Sequence, residues 1–321
     1  MSPGAGVRRS RGVALIIALV VVALATIIAA RIGAQGALNE RRGMTLLAQE
    51  QAFQVALGAE AWASEVLRDA ASASQFDSLD QPWATPLPPF PIDGGSIEGG
   101  IEDMQGRFNL NSLVKLDGTK DQASFDQFTR ILAALELEPK WASLLLDWID
   151  PDQVVDGIDG AEDGVYLGQN PPYRAANHMI TSTSELLALP GFGADRYRRL
   201  APFVTALPIA TPLNVCTASG LVLDSLAPGL TAFGGDPQQL ANNRQKGCFP
   251  RRSDVEAALS PLMTQPGQLQ AFVNGRLTQR TNWFRVRTVV SIGTTELTLY
   301  SLLERNPGGM SRVVLRTLGT E

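Results

Sequence analysis

Seven acidic side chains are concentrated in one segment of the 321-residue chain. Residues 141–173 contain no Lys or Arg, and they carry Asp147, Asp150, Asp152, Asp156, Asp159, Glu162 and Asp163. Crowded carboxylates repel one another, so an ordered loop tolerates them when they are solvated or bridged by a cation. Calcium fits best, because it is a hard ion that accepts about six to eight oxygen ligands in irregular geometry. The segment therefore indicates a calcium site, with a solvated acidic loop as the alternative.

Composition and charge exclude several other classes of protein. Hydrophobic residues make up 45% of the chain and charged residues 18%, as in an ordinary folded protein. The formal net charge is only −5, so the chain as a whole does not attract nucleic acid. His178 is the single histidine, and Cys216 and Cys248 are the two cysteines, which leaves no His- or Cys-rich set for a transition metal. Because no P-loop, Rossmann or G-x-S-x-G motif occurs, an enzyme is not expected.

The N-terminal segment is typical of a membrane span. Val13–Ala30 form an uncharged apolar run. As a helix this run is about 27 Å long, close to the ~30 Å hydrocarbon core of a bilayer. Arg8, Arg9 and Arg11 precede the run and predict that this end lies in the cytoplasm, with the rest of the chain outside. A cleaved secretory signal and a plain, unprocessed membrane anchor are the alternatives.

A short basic leader that ends in Gly12 and precedes the apolar run resembles the signal of type IV prepilins. The resemblance implies that a prepilin peptidase removes residues 1–12 and leaves Val13 as the first residue of a retained helix. Residues 13–30 then cross the membrane, and residues 31–75 continue the helix as a proline-free amphipathic segment. Three glycines are expected to weaken this helix just past the membrane: Gly33, Gly36 and Gly43.

The fifth position of the expected mature chain departs from the pilin pattern. Pilin-like proteins generally carry Glu there, whereas counting from Val13 places Ile17 at this position. A carboxylate inside the bilayer costs about 2.5–3.5 kcal/mol unless it is paired. In pilin families its partner is the N-terminal amine of the subunit ahead, and a subunit at the tip has no subunit ahead of it. In lacking this glutamate the chain resembles the type II secretion system minor pseudopilin K family.

The resemblance covers essentially the whole chain and implies an assembly and capping subunit at the tip of the pseudopilus. It implies a single-pass inner-membrane protein whose C-terminal body lies in the periplasm. The implied partners are the minor pseudopilins I and J, the other pseudopilus subunits, the prepilin peptidase and the membrane, without nucleic acid. On the amphipathic segment, Phe53, Leu57 and Trp62 are the expected contacts with neighbouring helices.

The implied fold is α+β, a pilin-like fold with a long N-terminal helix and a small antiparallel sheet that is interrupted by a large, mostly α-helical insert. Residues 92–118 and 276–319 are assigned to the sheet, and residues 119–275 to the insert. Residues 95–113, which end in the FNLN run of Phe108–Asn111, are similar to a strand pair of the family. Alternation predicts three more strands, at Trp283–Ile292, Glu296–Glu304 and Arg312–Thr317. The predicted helices of the insert are Ser124–Leu135, Trp141–Ile149, Ser182–Leu189, Ala194–Ala206, Ala218–Ala227 and Arg252–Leu259.

The resemblance also favours an ion over a solvated loop in the acidic segment. The runs DWIDPD (147–152), GAEDGVYL (160–167) and PPYRAAN (171–177) are similar to the calcium-binding segment of the K family. The similarity implies a calcium ion with a structural role. The implied ligands are Asp150, Asp152, Asp159, Glu162, Asp163 and Asn177.

Two stretches of the insert resemble helix-hairpin-helix units, residues 184–204 and, more weakly, residues 212–230. Arg196, Arg198 and Arg199 would give the first unit a local basic patch. An alternative function is therefore a membrane-anchored periplasmic protein that binds DNA through backbone N–H groups of the hairpin. In the simpler interpretation, two glycines permit a tight turn with positive φ: Gly191 and Gly193.

The two cysteines are expected to form a disulfide, because the predicted compartment outside the cytoplasm is oxidising. The bond would join Cys216, in the second hairpin, to Cys248. Free, buried thiols are the alternative.

Overall fold

The computed structural model of the protein describes residues 11–263, 265 and 267–319. Residues 1–10 of the expected leader lie outside the described residues. Helix α1 begins at Arg11 and ends at Ala73, so Gly12 and Val13 of the expected cleavage site belong to it. The helix is continuous through the three glycines that were expected to weaken it. Its residues 13–42 are exposed throughout, because the rest of the chain packs only against its C-terminal half.

A five-stranded antiparallel sheet has the order β1-β2-β7-β8-β9. Strand β7 is central, and all of β2 pairs with it, from Gly95 opposite Ile292 to Asp103 opposite Phe284. A one-residue irregularity interrupts the pairing of β9 with β8 near Leu302. The sheet strands are β1 (Leu87–Ile92), β2 (Gly95–Asp103), β7 (Trp283–Ile292), β8 (Thr295–Arg305) and β9 (Ser311–Leu318).

Helix α1 covers one face of this sheet with small and aliphatic side chains. Ala56 belongs to one apolar cluster with Val290, and Leu67 belongs to a second cluster with Phe284. The small alanine lets the helix approach the sheet closely, and burial of apolar surface stabilises the contact by roughly 25 cal/mol per Å². Because the chain leaves the sheet after Asp103, opposite Phe284, the insert lies at the end of the sheet that is remote from the exposed half of α1.

The insert occupies residues 104–282 and has its own large apolar core, which includes the stacked rings of Phe108 and Phe128. Its helices are α2 (Gln122–Ala134), α3 (Lys140–Ile149), α4 (Asp163–Tyr166), α5 (Gly193–Leu200), α6 (Gly220–Asp224), α7 (Pro237–Arg244), α8 (Arg252–Leu259) and α9 (Gln268–Arg276). Its short strands are β3 (Phe108–Asn109), β4 (Val204–Thr205), β5 (Leu213–Asn214) and β6 (Leu277–Thr278). Short 3-10 helices occur at Pro82–Ala84, Met104–Gly106, Leu110–Leu113, Thr183–Ala188, Ala201–Phe203 and Ser260–Leu262.

The α+β fold class and the three C-terminal strands agree with the sequence prediction, but the first sheet segment differs from it. The sheet contains residues 87–103 rather than 92–118. Phe108–Asn109 do not pair with β2; they pair in parallel with Val204–Thr205 of the insert. The side chain of Asn109 holds this arrangement, because it accepts from the backbone N–H of Leu207 at 3.0 Å and donates to the carbonyl of Pro208 at 2.9 Å.

The second predicted sheet segment, 276–319, also begins too early. Leu277–Thr278 pair in parallel with Leu213–Asn214 of the insert, and the sheet resumes at Trp283. The insert is therefore longer at both ends than the predicted range 119–275.

A buried polar network joins α1, the sheet and the insert. Arg305, at the end of β8, forms an ion pair with Asp77, and both side chains are 2% exposed. The amide of Asn214 donates to Asp103 and to Thr281, at 2.9 Å each. Burial raises the pKa of Asp103 despite four hydrogen bonds to its carboxylate. Because unpaired polar groups are costly to bury, these bonds fix how the insert meets the sheet.

A disulfide joins Cys216 and Cys248, as the sequence analysis predicts. Their Cα atoms are 4.6 Å apart, and the bond links the segment after β5 to the segment after α7.

Candidate metal site

Three carboxylates of the acidic segment converge in the structure. Oxygen atoms of Asp150, Asp152 and Glu162 all lie within 4.8 Å of one another. Asp150 directly follows the last residue of helix α3 and caps it, because its N–H donates to the carbonyl of Leu146 at 2.9 Å. Glu162 precedes the first residue of α4. The end of one helix and the start of the next therefore bring the carboxylates together.

Two of these three side chains are buried. Asp150 is 8% exposed and Glu162 is 6% exposed. Within the part of the chain that the structure describes, Oδ1 of Asp150 and both carboxylate oxygens of Glu162 have no hydrogen-bond partner. Burial, and then the neighbouring carboxylates, raise the pKa of Asp150 and that of Glu162 to about 7. A bound cation would remove this cost, because it supplies the opposite charge that the site lacks.

Asn177 adds a neutral oxygen to this region. Its Nδ2 donates to the carbonyl of Asp152 at 2.8 Å, and its backbone N–H donates to the carbonyl of Trp148 at 3.0 Å. Its Oδ1 is buried and has no hydrogen-bond partner among the described residues. The backbone adopts φ +50° at Asn177, a conformation that Asn accepts more readily than most residues. The amide oxygen is therefore held beside the loop, free to bind an ion.

Asp147 organises the loop rather than joining the three-carboxylate cluster. It is fully buried, and it accepts hydrogen bonds from the backbone N–H groups of Asp156 and Ala161. A Cβ on Gly160 would lie 2.3 Å from Oδ2 of Asp147, so only glycine permits this wrapping. Burial is the main cause that raises the pKa of Asp147 to about 6. The sequence analysis did not single out Asp147, although its place among the apolar residues of LLLDWI was a signal of burial.

The remaining acids of the segment lie outside the cluster. Asp159 is exposed. Asp163 accepts a hydrogen bond from the backbone N–H of Ala175 at 3.1 Å and lies 3.3 Å from Arg174. Asp156 pairs with Lys120 at 2.8 Å. The structure thus brings together three of the five predicted acidic ligands, with Asn177 beside them, and for Asp159 and Asp163 the ligand role stays a prediction.

An aromatic cluster lies directly behind the candidate ligands. The rings of Trp148 and Tyr166 are 5.0 Å apart, and Tyr173 lies 5.5 Å from Tyr166. Because Trp148 is two residues from Asp150, a change in the position of the loop alters the surroundings of its indole. Trp148 is therefore a built-in reporter of the site.

The donor set fits a hard cation. Asp150, Asp152, Glu162 and Asn177 offer only carboxylate and amide oxygens, the ligands that calcium prefers. His178 is exposed, and its Nδ1 lies 2.9 Å from the carbonyl oxygen of Met179. The oxygens left without partners are those that an ion would bind, and the irregular geometry of the loop suits calcium better than magnesium.

The arginines of the first hairpin have protein partners. Arg196 pairs with Glu138 at 3.0 Å, Arg198 pairs with Asp195, and Arg199 donates to the carbonyl of Leu135. The turn before α5 has two glycines with positive φ, Gly191 at +78° and Gly193 at +75°. These contacts match the interpretation in which the glycines permit a tight turn.

Of the three residues expected to contact neighbouring helices, two face the chain's own sheet. Phe53 and Leu57 are partly buried against the apolar cluster that contains Ala56, whereas Trp62 is 56% exposed. The apolar stripe of this part of α1 is used within the chain because the sheet covers it. Trp62 is the most exposed of the three, and its contact with a neighbouring helix stays a prediction.

The architecture defines a class of protein. The stretch from Val13 to Ala73 is the one helix of the described residues that is long and apolar enough to cross a membrane, and its most apolar window is entirely unburied. A helix of this kind that continues onto an antiparallel sheet is the architecture of pilin-like assembly subunits, here with a helical insert.

Comparisons with known proteins identify the family. The family model described as type II secretion system (T2SS), protein K, matches residues 106–209. Type II secretion system protein K of Pseudomonas aeruginosa is 39% identical over 97% of this chain and 94% of its own length. The protein of the same name from Aeromonas hydrophila is 33% identical, with 97% of each chain covered. The chain belongs to the type II secretion system protein K family and is a minor pseudopilin of that system.

A solved structure supports the fold. One chain in the crystal structure of the GspK–GspI–GspJ complex from the enterotoxigenic Escherichia coli type 2 secretion system superposes with a TM-score of 0.70. The match covers 87% of this chain and 100% of that chain, with 24% sequence identity. The fold and the family together make this protein a single-pass, membrane-anchored structural component of a secretion system.

Proposed function

We propose that this protein occupies the tip of the pseudopilus and caps it during secretion across the outer membrane. One observation carries the proposal: the exposed apolar part of α1 contains no carboxylate before Glu40, and Ile17 occupies the position where pilin-like subunits carry Glu. A carboxylate at that position costs about 2.5–3.5 kcal/mol inside the bilayer unless it is paired, and in pilin-like subunits the amine of the subunit ahead supplies the pair. A subunit without it has no requirement for a subunit ahead.

The position of the insert supports capping. The insert extends from the end of the sheet that is remote from the exposed half of α1. In a filament built by lateral packing of these helices, the large insert fits at the end, because no further subunit has to be placed beyond it. The partners are the minor pseudopilins I and J, because the matching solved structure is a complex of the corresponding three proteins. The other pseudopilus subunits follow behind them.

The proposed location is the inner membrane, with the body in the periplasm. The arginines that precede the apolar run favour a cytoplasmic N-terminus, so the sheet and insert lie on the other side. A prepilin peptidase would cut after Gly12 and leave the helix in place. The exposed apolar residues of α1 hold the subunit in the bilayer before assembly. During assembly they pack against the helices of neighbouring subunits.

The metal site has a structural role in this proposal. Calcium bound by Asp150, Asp152, Glu162 and Asn177 would neutralise the buried carboxylates and fix the loop that joins α3 to α4. Extracytoplasmic calcium sites with dissociation constants of ~10⁻⁴–10⁻³ M fill where the ion is plentiful. The ion would stabilise the insert without taking part in a reaction.

Placement of the subunit along assembled pseudopili tests the tip proposal. An epitope-tagged chain is located by immunogold labelling of pseudopili, together with a variant that carries Ile17→Glu. We expect label at one end for the unchanged chain, and internal label for I17E because the new carboxylate can pair with the amine of another subunit. Leu19→Glu is the matched control, since it introduces the same charge two residues away from position 17, where the carboxylate would pair with the amine. Label along the shaft for the unchanged chain would overturn the proposal.

A further inference from the structure

Arg244, the last residue of α7, is a buried cation held by backbone carbonyls. It is 7% exposed. Its Nε donates to the carbonyl of Phe249 at 2.8 Å. Its two Nη atoms donate to the carbonyls of Val215, Thr217 and Ala218. These four bonds use four of the five N–H groups of a guanidinium.

The charge of Arg244 has no carboxylate partner within the described residues. The comparably buried Arg305 pairs with Asp77, and the half-buried Arg276 pairs with Asp121. Burial lowers the pKa of Arg244 to about 10, with no neighbouring carboxylate acting in the opposite direction. Carbonyl dipoles compensate a buried charge only in part, so the site favours an anion that comes from outside the chain.

A cavity of about 640 Å³ adjoins Arg244. Its size is that of a ligand site, and its walls are mostly apolar. Asp80 also lines the cavity, but its side chain is exposed and accepts a hydrogen bond from the Ser78 hydroxyl rather than from Arg244. The apolar lining is provided by Leu79, Phe203, Leu221, Phe233 and Leu240.

We propose that this cavity binds a carboxylate carried on an apolar group, with Arg244 as the cationic partner and the apolar walls around the rest of the ligand. The C-terminal leucine or phenylalanine of a polypeptide has this chemistry, and so does a small branched-chain acid. The attraction between an anion and a cation is strongest where the cation is already out of water. The apolar lining disfavours ligands that carry charge but no apolar group. The cavity lies between the insert and the segment that follows α1, and none of its lining residues belongs to the three-carboxylate cluster.

Calorimetric titration of the full chain in detergent micelles tests this site. The probes are N-acetyl-Ala-Leu with a free carboxylate, the same dipeptide as its C-terminal amide, and 4-methylpentanoate. We expect the free acid to bind about tenfold or more tightly than the amide, because the amide cannot pair with Arg244. If the dipeptide acid binds more tightly than 4-methylpentanoate, the ligand is a polypeptide C-terminus. If the two acids bind equally, the ligand is a small acid. Equal binding of dipeptide acid and amide overturns the proposal.

Two variants separate the site from the fold. Arg244→Met removes the cation and should abolish the preference for the acid, but it also releases the four backbone carbonyls that Arg244 binds. Ala241→Trp fills the cavity from the exposed side of α7 and leaves Arg244 in place, so it tests the site in a folded protein. Arg198→Met removes an exposed cation elsewhere and is the control. Unchanged binding of the acid by A241W would overturn the proposal.

Discussion

The guanidinium of Arg316 in β9 donates to both carboxylate oxygens of Glu60 in α1, through Nε and Nη2 at 2.8 Å each. Ser301 of β8 also donates to Glu60, at 2.5 Å. Glu60 is buried, whereas Arg316 remains partly exposed. This bidentate ion pair adds a polar contact to the apolar packing between α1 and the sheet. It sets the position of the helix along the strands.

Loss of the Glu60–Arg316 pair should weaken the packing of α1 on the sheet without abolishing it, because two apolar clusters also join them. In a double-mutant cycle of Glu60→Gln and Arg316→Met, we expect a coupling free energy of about 1–2 kcal/mol, in the lower part of the range for charged pairs because Arg316 is partly exposed. Urea unfolding of the full chain in detergent measures it. Arg312→Met, which removes the exposed pair with Glu304, is the control and should change stability by less than about 1 kcal/mol. A coupling indistinguishable from zero contradicts the role given to the pair.

The same pair predicts a pH dependence. Burial alone would raise the pKa of Glu60, but the hydrogen bonds from Arg316 and Ser301 lower it below the ordinary value of 4.5. The unfolded chain therefore binds this proton more readily, so the stabilisation is present above pH 4.5 and is lost as the pH falls through the folded pKa. The difference in unfolding free energy between the unchanged chain and E60Q should shrink as the pH falls from about 6 to about 3. A difference that stays constant or grows over this range contradicts the assignment.

Sequence patterns predicted the elements whose contacts are local or periodic. The long helix and the strands at Trp283–Ile292 and Thr295–Arg305 have clear periods of apolar residues. Helix α7, Pro237–Arg244, was not predicted, because Leu240 is its one buried apolar residue and no stripe marks it. The pairing of Phe108–Asn109 with Val204–Thr205 was missed because it joins residues that are almost one hundred positions apart.

At the candidate metal site, the sequence indicated the acidic segment but not the role of each acid within it. Seven acids in one run predicted crowding, which the structure relieves in three ways. Asp147 binds backbone N–H groups, Asp156 pairs with Lys120, and Asp163 accepts from the backbone of Ala175. Each of these partners is at least nine positions away in the sequence. The spacing of the acids alone therefore did not distinguish an acid that shapes the loop from one that is free to bind an ion.

The disulfide should contribute a large part of the stability of the insert. Cys216 and Cys248 are 32 residues apart, and closing a loop of that length is worth about 3–4 kcal/mol in the chain-entropy model. We expect the double substitution of both cysteines by Ala to lower the unfolding free energy by about this amount. Reduced, unchanged protein is the control and should unfold like the variant. Thiol titration of denatured, unreduced protein should find none, and two reactive thiols would contradict the bond.

Processing at the N-terminus should be visible as a mass difference. If the leader is removed by a prepilin peptidase, the protein isolated from membranes begins at Val13, and intact-mass spectrometry lacks the mass of residues 1–12. A chain with Gly12→Val should keep the leader, because the substitution removes the glycine on which the resemblance to a prepilin signal rests. Retention of Met1–Gly12 in the unchanged protein would rule out pilin-type maturation and leave a plain membrane anchor.

Calcium should stabilise the insert and change the fluorescence of Trp148. At 10 mM calcium, a site with a dissociation constant of ~10⁻⁴–10⁻³ M adds about 1.4–2.7 kcal/mol to the unfolding free energy. Thermal unfolding of the full chain in calcium and in chelator measures this difference. Trp148→Phe identifies the fluorescence change that arises from the site. Identical unfolding curves with and without the ion would argue against a calcium site.

Substitution of single acids should show which of them bind the ion. Asp150→Asn and Glu162→Gln are expected to abolish the calcium effect and to stabilise the ion-free protein, because each removes a buried charge without a partner. Asp195→Asn, at an exposed acid on α5, should leave both quantities unchanged. Asp159→Asn and Asp163→Asn test the two predicted ligands outside the cluster. If D159N weakens calcium binding as strongly as D150N, the loop closes around the ion by a movement of its exposed part. If neither D159N nor D163N weakens binding, the three carboxylates of the cluster and Asn177 are the side-chain ligands of the site.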